Sequence, residues 1–474
     1  MSFFHTTSFF ILSKGPSITP HSSASLALSG EYRFSRTLLP ILLTIALLFG
    51  TSPQNSIAWA GGSSLSNPSS LKEMALPVLT IDQAVREALG KNPALARERA
   101  RIAREKTLSV QAGELPDPKL VLGEQYFPIN FNMGQSLLAM TTVGLRQSFS
   151  PWGKKALLSQ GFLREQTASG WKLEDKKLQL VQDVRLTWMD LYRNTRTEIL
   201  LRSIANLWQE AFQSALERYR QGTGSESDLL IAQFQKDNLK DKEEVLQIRR
   251  EKSLHHLMNL MHRSQSFRIA SEEPSFPIPL PEFILLTRIN HHPALKSSAD
   301  KNASQALRVQ AATKDKIPAF SIEGDYSYFM GPSLITATPN LFSVVLTMNL
   351  PVRPGERQDQ KVQEEEAILQ SLESRREELR QKFAKEIRDA ETSYRHSSHR
   401  ELFFDHRLLP EARRNAEAAL NAYSTGTVGM ERVLESMKKV EDVEIQALDI
   451  RVEKMKEMAK LDYLKGLVQG GSDE

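Results

Sequence analysis

Apolar and polar positions follow two different periods along this chain, and the pair of periods recurs. Phe320, Ile322, Tyr326 and Tyr328 alternate with Ser321, Glu323, Asp325 and Ser327; further on, Phe342, Val344, Leu346, Met348 and Leu350 alternate with Ser343, Thr347 and Asn349. Period two marks a strand with one apolar and one wet face. An earlier pair of runs is less regular. Leu120 and Leu122 share a face with Glu124, while Val143, Leu145, Gln147 and Phe149 stand opposite Thr142, Gly144, Arg146 and Ser148. Two β-hairpins are therefore expected, at 118–149 and 318–350.

Everywhere else the apolar period is helical. Thr80 with Gln83 reads as a capping box ahead of the stripe Ile81, Ala84, Val85, Ala88, Leu89. Ile284, Leu285 and Ile289 form its counterpart. Gly90 and Asn290, before Pro93 and Pro293, are expected to end these helices in the left-handed conformation, and the next helices to run to Gly113 and about Lys314. Lys154 to Tyr219 is proline-free, a run of about 66 residues. At 1.5 Å per residue it predicts a helix about 100 Å long, broken by nothing stronger than Ala168-Ser169-Gly170. Its apolar residues form two adjoining seams, Leu173, Leu180, Val184, Leu191 and Leu178, Val181, Trp188, Tyr192, Ile199; Val440 to Ala459 repeats the arrangement. A helix with two seams meets a neighbour on each side, which builds a tube of helices. In the second long run Pro410 is expected to start a new segment or kink the helix.

These elements are written twice. Asn92-Pro93-Ala94-Leu95 returns as His292-Pro293-Ala294-Leu295, and Tyr219-Arg220-Gln221-Gly222-Thr223 as Tyr423-Ser424-Thr425-Gly426-Thr427. The sequence thus divides into a first repeat at 79–280 (tip turn 222–224) and a second at 281–468 (tip turn 426–429), together one body. Ahead of them, Leu38 to Phe49 form a short apolar run behind Arg33 and Arg36, with Ala58-Trp59-Ala60 before Gly61. Residues 1–60 read as a secretory signal, too short in its apolar run to span a bilayer; an early start codon and a Ser-rich transit peptide are the alternatives. Residues 61–78 are a Ser/Gly-rich linker and 469–474 a disordered tail.

Composition narrows the chemistry. There is no cysteine, which excludes a disulfide framework, a thiolate metal site and a lipidated cysteine. The net charge of +4 falls to about +2 once Lys14, Arg33 and Arg36, against Glu31, are removed. Basic and acidic residues alternate along the helices instead of clustering, so no nucleic-acid partner is expected. No P-loop, nucleophile elbow or zincin motif is present; neither catalytic residues, a cofactor nor a metal is assigned, and the chain is not read as an enzyme. His255, His256 and His262 read as solvated helix positions, and His291-His292 as a turn before Pro293. The thirteen methionines are scattered, without the paired spacing of a copper or silver relay.

Four strands with long apolar faces cannot close on themselves, and no further strand segments are available to cover them. In lipid an open edge is not tolerated, so copies from other chains must complete the sheet; three chains give twelve strands, an even number. Strands of about ten residues suit a tilted crossing of the hydrocarbon core. A soluble sandwich is the competing reading of the same alternation.

The duplicated plan, Leu115-Pro116-Asp117-Pro118 before the first strand, Gln147 to Lys154 (QSFSPWGK) leaving its hairpin, and the two Tyr-x-x-Gly-Thr turns together resemble the TolC family of outer membrane efflux channels. The resemblance spans about Leu79 to Leu464. It implies a mainly α fold with a small β part: a homotrimer with a twelve-stranded barrel in the outer membrane and a twelve-helix coiled-coil tunnel across the periplasm. It also implies docking to a periplasmic adaptor and an inner-membrane pump, and so a passive exit duct for small molecules or ions. The exit duct of a type I protein secretion system and a secreted periplasmic coiled-coil structural protein are the alternatives.

Three groups of residues are assigned on this basis. Val143, Leu145, Phe320, Ile322, Tyr326, Phe342, Val344 and Leu346 are expected to face lipid, with Ser321, Glu323, Asp325, Thr347, Arg146 and Ser148 lining the lumen. Gly222, Thr223, Gly224, Gly426 and Thr427 are expected to form the adaptor-contacting tips. Aligning the tips sets Asp228 opposite Arg432, with Glu435 one turn beyond. The resemblance implies a constriction ring of acids in this part of the second repeat, held closed by salt bridges; Glu435 matches such a position, and Arg432 stands where an acid is usual.

Overall fold

The computed structural model describes residues 76–126, 129–131, 139–270, 272–329 and 340–467. The signal, most of the linker and the C-terminal tail lie outside them. A short strand β1 (Val78–Leu79) pairs in parallel with β4 (Arg268–Ile269). Between them come α1 (Ile81–Lys91), α2 (Pro93–Gly113), strands β2 (Lys119–Gln125) and β3 (Met140–Phe149), the 67-residue α3 (Lys154–Arg220), and α4 (Glu226–Met261). The second repeat supplies α5 (Glu282–Arg288), α6 (Pro293–Thr313), strands β5 (Phe320–Phe329) and β6 (Leu341–Met348), α7 (Gln358–Phe403), α8 (Leu409–Ser424) and α9 (Met430–Lys465). No helix among the described residues is long and apolar enough to cross a membrane.

Local chemistry explains where the elements stop. The capping box of α1 is complete: Gln83 N–H donates to Thr80 Oγ1 at 3.3 Å and Thr80 N–H to Gln83 Oε1 at 2.9 Å. The ends of α1 and α5 differ from expectation. Gly90 stays inside α1, Asn290 falls in a 3-10 turn (Ile289–His291), and neither residue has positive φ. The following proline decides the matter, because its ring drives Asn92 and His292 into extended backbone (ψ 122° and 134°), which ends one helix and caps the next. Asn92 Oδ1 accepts from Ala94 N–H at 2.9 Å while its Nδ2 donates to Leu260 O at 2.9 Å. His292 does the same work in the second repeat: Nδ1 accepts from Ala294 N–H, and Nε2 bonds to Tyr463 O, each at 3.2 Å. One residue per repeat thereby ties the start of α2 to the end of α4, and the start of α6 to the end of α9.

The helices form a layer in which α3 lies between the α2/α4 stack and the α6/α9 stack, with α7 packed on the far side of the latter. Both seams of α3 are used: Leu173, Leu180, Val184, Trp188, Leu191 and Tyr192 join Leu257, Met261, Leu448, Val452 and Met455 in one core. Ile199 is the exception and stands exposed. Ion pairs fix the sliding register across the layer. Arg193 grips Asp449 bidentately at 2.5 and 2.9 Å, Lys456 meets Asp190 at 2.6 Å, and on the other flank of α9 Arg413 meets Glu444 at 2.6 Å and Arg451 meets Asp405 at 2.8 Å. Between α7 and α8, Phe404–Leu408 makes a π-helical turn, closed by Leu409 N–H to Phe404 O. Pro410 follows directly, in backbone that stays right-handed helical through Leu408 and Leu409.

Candidate functional site: an outward-greasy sheet and two tip turns

The four longer strands form one antiparallel sheet in the order β2-β3-β5-β6. Its register decides which side chains share a face. Val143 stands opposite Tyr326, Tyr326 opposite Phe342, Ile322 opposite Leu346, and Leu145 and Val344 flank Gly324. All eight residues assigned to the apolar band therefore lie on one face, joined by Leu120, Leu122 and Tyr328. That face is the exposed one: Phe342 is 73 % and Val344 65 % accessible. The opposite face carries Arg146, Ser148, Ser321, Glu323, Asp325 and Thr347, and there Thr142, Glu323, Asp325 and Ser327 are buried. Arg146 pairs with Glu323, and the Thr142 and Ser327 hydroxyls are 3.0 Å apart. A soluble sheet hides its apolar side and wets its polar one, so this sheet is inverted. At its base Phe149 and Phe320 stack with ring centroids 4.9 Å apart.

The other end of the layer is built from the two repeated turns, which fold alike. Gly222 and Gly426 take positive φ (71° and 81°), and their N–H groups donate to Tyr219 O and Tyr423 O at 3.0 and 2.9 Å. Thr223 and Thr427 N–H reach back to Arg218 O and Ala422 O at 2.9 and 2.8 Å, the double closure that satisfies a helix end through a left-handed residue. Gly224 is required for a different reason, since a Cβ there would come within 2.8 Å of Tyr219 N.

The turns are not equivalent in what they touch. Tyr423 is fully buried, with its hydroxyl donating to Asp228 Oδ2 at 3.1 Å, whereas Tyr219 is exposed. Burial, and then the Asp228 carboxylate, push the Tyr423 phenol up to about 12. Arg218 lies over the Tyr423 ring at 4.6 Å and donates both to Tyr423 O and, at 3.2 Å, to Thr223 O, so one guanidinium clasps both turns. Asp228 and Arg432 do not meet within the chain. Asp228 is taken by Tyr423, and Arg432 pairs with Glu435 of its own helix at 2.8 Å, both of them exposed. The Arg218 and Tyr423 clasp escaped the sequence reading; its only trace there is that the repeat sets Arg218 where its counterpart is Ala422.

Among the described residues no group of three or more His, Cys, Asp or Glu side chains is placed to hold a metal. His255 and His256 are exposed on α4, and His262 ends that helix with φ 52°. No family sequence model and no curated protein matches the chain in sequence. Solved structures do match. The CmeC outer membrane channel of Campylobacter jejuni superposes with a TM-score of 0.68 at 16 % identity, over 89 % of this chain and 96 % of that one. The fold is that of the TolC-type outer-membrane channels. The outer membrane protein VceC of Vibrio cholerae gives 0.68 at 16 % identity over 81 % of this chain and 96 % of its own. The open state of the Neisseria gonorrhoeae MtrE channel gives 0.67 at 14 % identity over 81 % and 88 %. At these identities the likeness is one of architecture, and what the chain does rests on its own faces and tips.

Proposed function

We propose that three copies of this chain assemble into an outer-membrane channel that serves as the passive exit duct of a tripartite efflux pump. The observation that carries the reading is the inverted sheet, exposed and apolar outward, polar inward, with β2 and β6 each leaving an edge. Such a sheet is stable in lipid only when closed, and three copies supply twelve strands. The helical layer supports the same closure. Its outermost members bear exposed apolar side chains, Leu230, Phe234 and Ile248 on α4 and Leu402 and Phe403 on α7, which a neighbouring copy covers. Val143, Leu145, Phe320, Ile322, Tyr326, Phe342, Val344 and Leu346 then meet lipid, and the helices continue the lumen as a periplasmic tunnel.

In this reading the tips at Gly222-Thr223-Gly224 and Gly426-Thr427 meet the periplasmic adaptor, and an inner-membrane pump loads the duct. The constriction lies just above them, with Asp228 held by Tyr423 and the exposed Arg432 and Glu435 turned to the passage or to the next copy. Cargo is solutes or ions small enough for the tunnel; no chemistry is performed on them. Reconstitution tests the whole reading. Purified protein should migrate as a heat-modifiable trimer, fractionate with the outer membrane and conduct in planar bilayers. A monomer recovered with the soluble periplasm, silent in bilayers, would refute it.

A further inference from the structure

Next to the sheet the helical layer has two free edges. α2 packs on α3, α3 on α6 and α6 on α7, so α2 and α7 stand at opposite sides of the layer. Their unpaired charges are opposite in sign. Arg99 and Lys106 on α2, and Glu366 and Glu373 on α7, are all exposed, and among the described residues none of these four side chains makes a hydrogen bond or ion pair. Most of their charged neighbours are matched within the chain. Arg97 lies 3.8 Å from the buried Glu98, Arg101 and Arg104 lie 4.0 and 3.4 Å from the buried Glu105, Glu377 pairs with Arg380 at 2.7 Å, and Glu364 and Glu365 share Lys361.

The four also share one side of the layer. Arg101 and Arg375 both approach Lys301 and, after burial, help to lower its pKa; Arg375 and Glu378 line a hollow over α6 together with Lys172 and Lys301. At 100° per residue, Arg99 and Lys106 lie about 150° round α2 from Arg101, and Glu366 and Glu373 about 170° round α7 from Arg375. All four therefore sit on the side away from that hollow. Their depth below the sheet agrees to within about two helical turns, because the contacts of Glu98 with Lys172, Ala168 O with Ser297 and Glu365 with Gln305 carry it across α3 and α6. α2 runs toward the sheet and α7 away from it, and each couple is spaced by seven residues, about 10.5 Å. We propose that the α2 edge of one copy docks on the α7 edge of a second copy, with Arg99 meeting Glu373 and Lys106 meeting Glu366. Exposed Ala96, Ala100 and Ala103 on α2 and Ala367 and Ser374 on α7 leave room for the close approach. Contact between unlike edges is what closes a ring, and the inference rests on the ring of copies proposed above.

Size exclusion with light scattering on the detergent-solubilised full chain reads the association. Exposed pairs are each worth about twofold in an equilibrium constant, and two pairs at each of three interfaces compound to about fiftyfold. Arg99→Glu with Lys106→Glu should therefore lower the trimer association constant by about fiftyfold or more, since attraction becomes repulsion. Glu366→Lys with Glu373→Lys should do the same, and the fourfold variant that carries both reversals should return to the parent's value. Because the chain has no cysteine, a second measurement is available. Arg99→Cys with Glu373→Cys should be joined between copies by a short bifunctional maleimide, whereas Arg97→Cys with Glu373→Cys, on opposite sides of the layer, should not. Reversals that leave the trimer unchanged, a fourfold variant that fails to recover it, or equal linking from positions 97 and 99 would each refute the docking. A monomeric parent would refute the proposed function along with it, so the parent tells the two failures apart.

Discussion

His292→Asn should remove most of the acid sensitivity of the fold while keeping its connections. His292 caps α6 through Nδ1 and binds the end of α9 through Nε2, a division of roles that only the neutral ring can fill. Burial drives its pKa from 6.5 down to about 4, against a smaller opposing pull from the Tyr463 carbonyl. The sign follows directly: between those values the unfolded chain binds a proton that the folded one refuses. The stabilising contribution is thus complete above pH 6.5 and lost as the pH falls toward 4. Linkage makes that loss about 2 kcal/mol per chain at pH 5 and about 3 kcal/mol at pH 4. Asparagine at the equivalent position of the first repeat performs both hydrogen bonds without titrating. The substitution forfeits the edge contacts of the ring with Phe383 and Tyr463, at 4.6 and 5.1 Å, a cost of about 1–2 kcal/mol at neutral pH. The two stability curves should therefore cross near pH 5. Urea unfolding followed by circular dichroism from pH 7.5 to 4.5 measures this, and a variant whose slope against pH equals the parent's would refute the assignment.

Val344→Arg on the exposed apolar face should cost about 2–4 kcal/mol and depress trimer yield in the outer membrane, whereas Thr347→Arg on the other face should assemble nearly as the parent does; equal yields would reverse the faces. Tyr423→Phe removes a hydrogen bond to a part-buried carboxylate, worth about 1 kcal/mol per chain, and three such losses should raise the open probability in bilayers up to about a hundredfold. An unchanged channel record would move the constriction elsewhere. Gly224→Ala should lower thermal stability by about 1–3 kcal/mol through its clash with the Tyr219 backbone, while Gly429→Ala, with open space around it, should change little.

What the sequence made legible was whatever is local or periodic. Period two in β5 and β6 assigned faces that the register then brought together, and the absence of proline from Lys154 to Tyr219 announced a helix that runs through Ala168-Ser169-Gly170 unbroken. Pro410 gave the position of a helix boundary because its effect acts on the preceding turn. Gly90 and Asn290 misled for the same local reason in reverse: the glycine and asparagine rule was applied where the proline three residues on already dictated the stop. Contacts between the repeats were not legible. Asp228 was matched to Arg432 by equal spacing from the turns, but spacing along two helices that leave equivalent turns does not say which face each residue presents, and Glu435 was the nearer partner for the arginine. Arg218, whose role depends on a ring 205 residues away, leaves no periodic trace at all.

The π-helical turn at Phe404–Leu408 has no counterpart in α3, which runs as α-helix from Lys154 to Arg220. Residues 358–424 equal α3 in length, at 67 residues, but one extra residue in a single turn rotates everything beyond it by about 100° about the helix axis. The second rod is out of angular phase with the first from Leu409 onward. Tyr423 is buried in the layer, whereas Tyr219, its counterpart in the motif, is exposed. A duplication would otherwise give two interchangeable staves; the wide turn sets the second apart from the first in backbone, as the buried Tyr423 sets it apart in contacts.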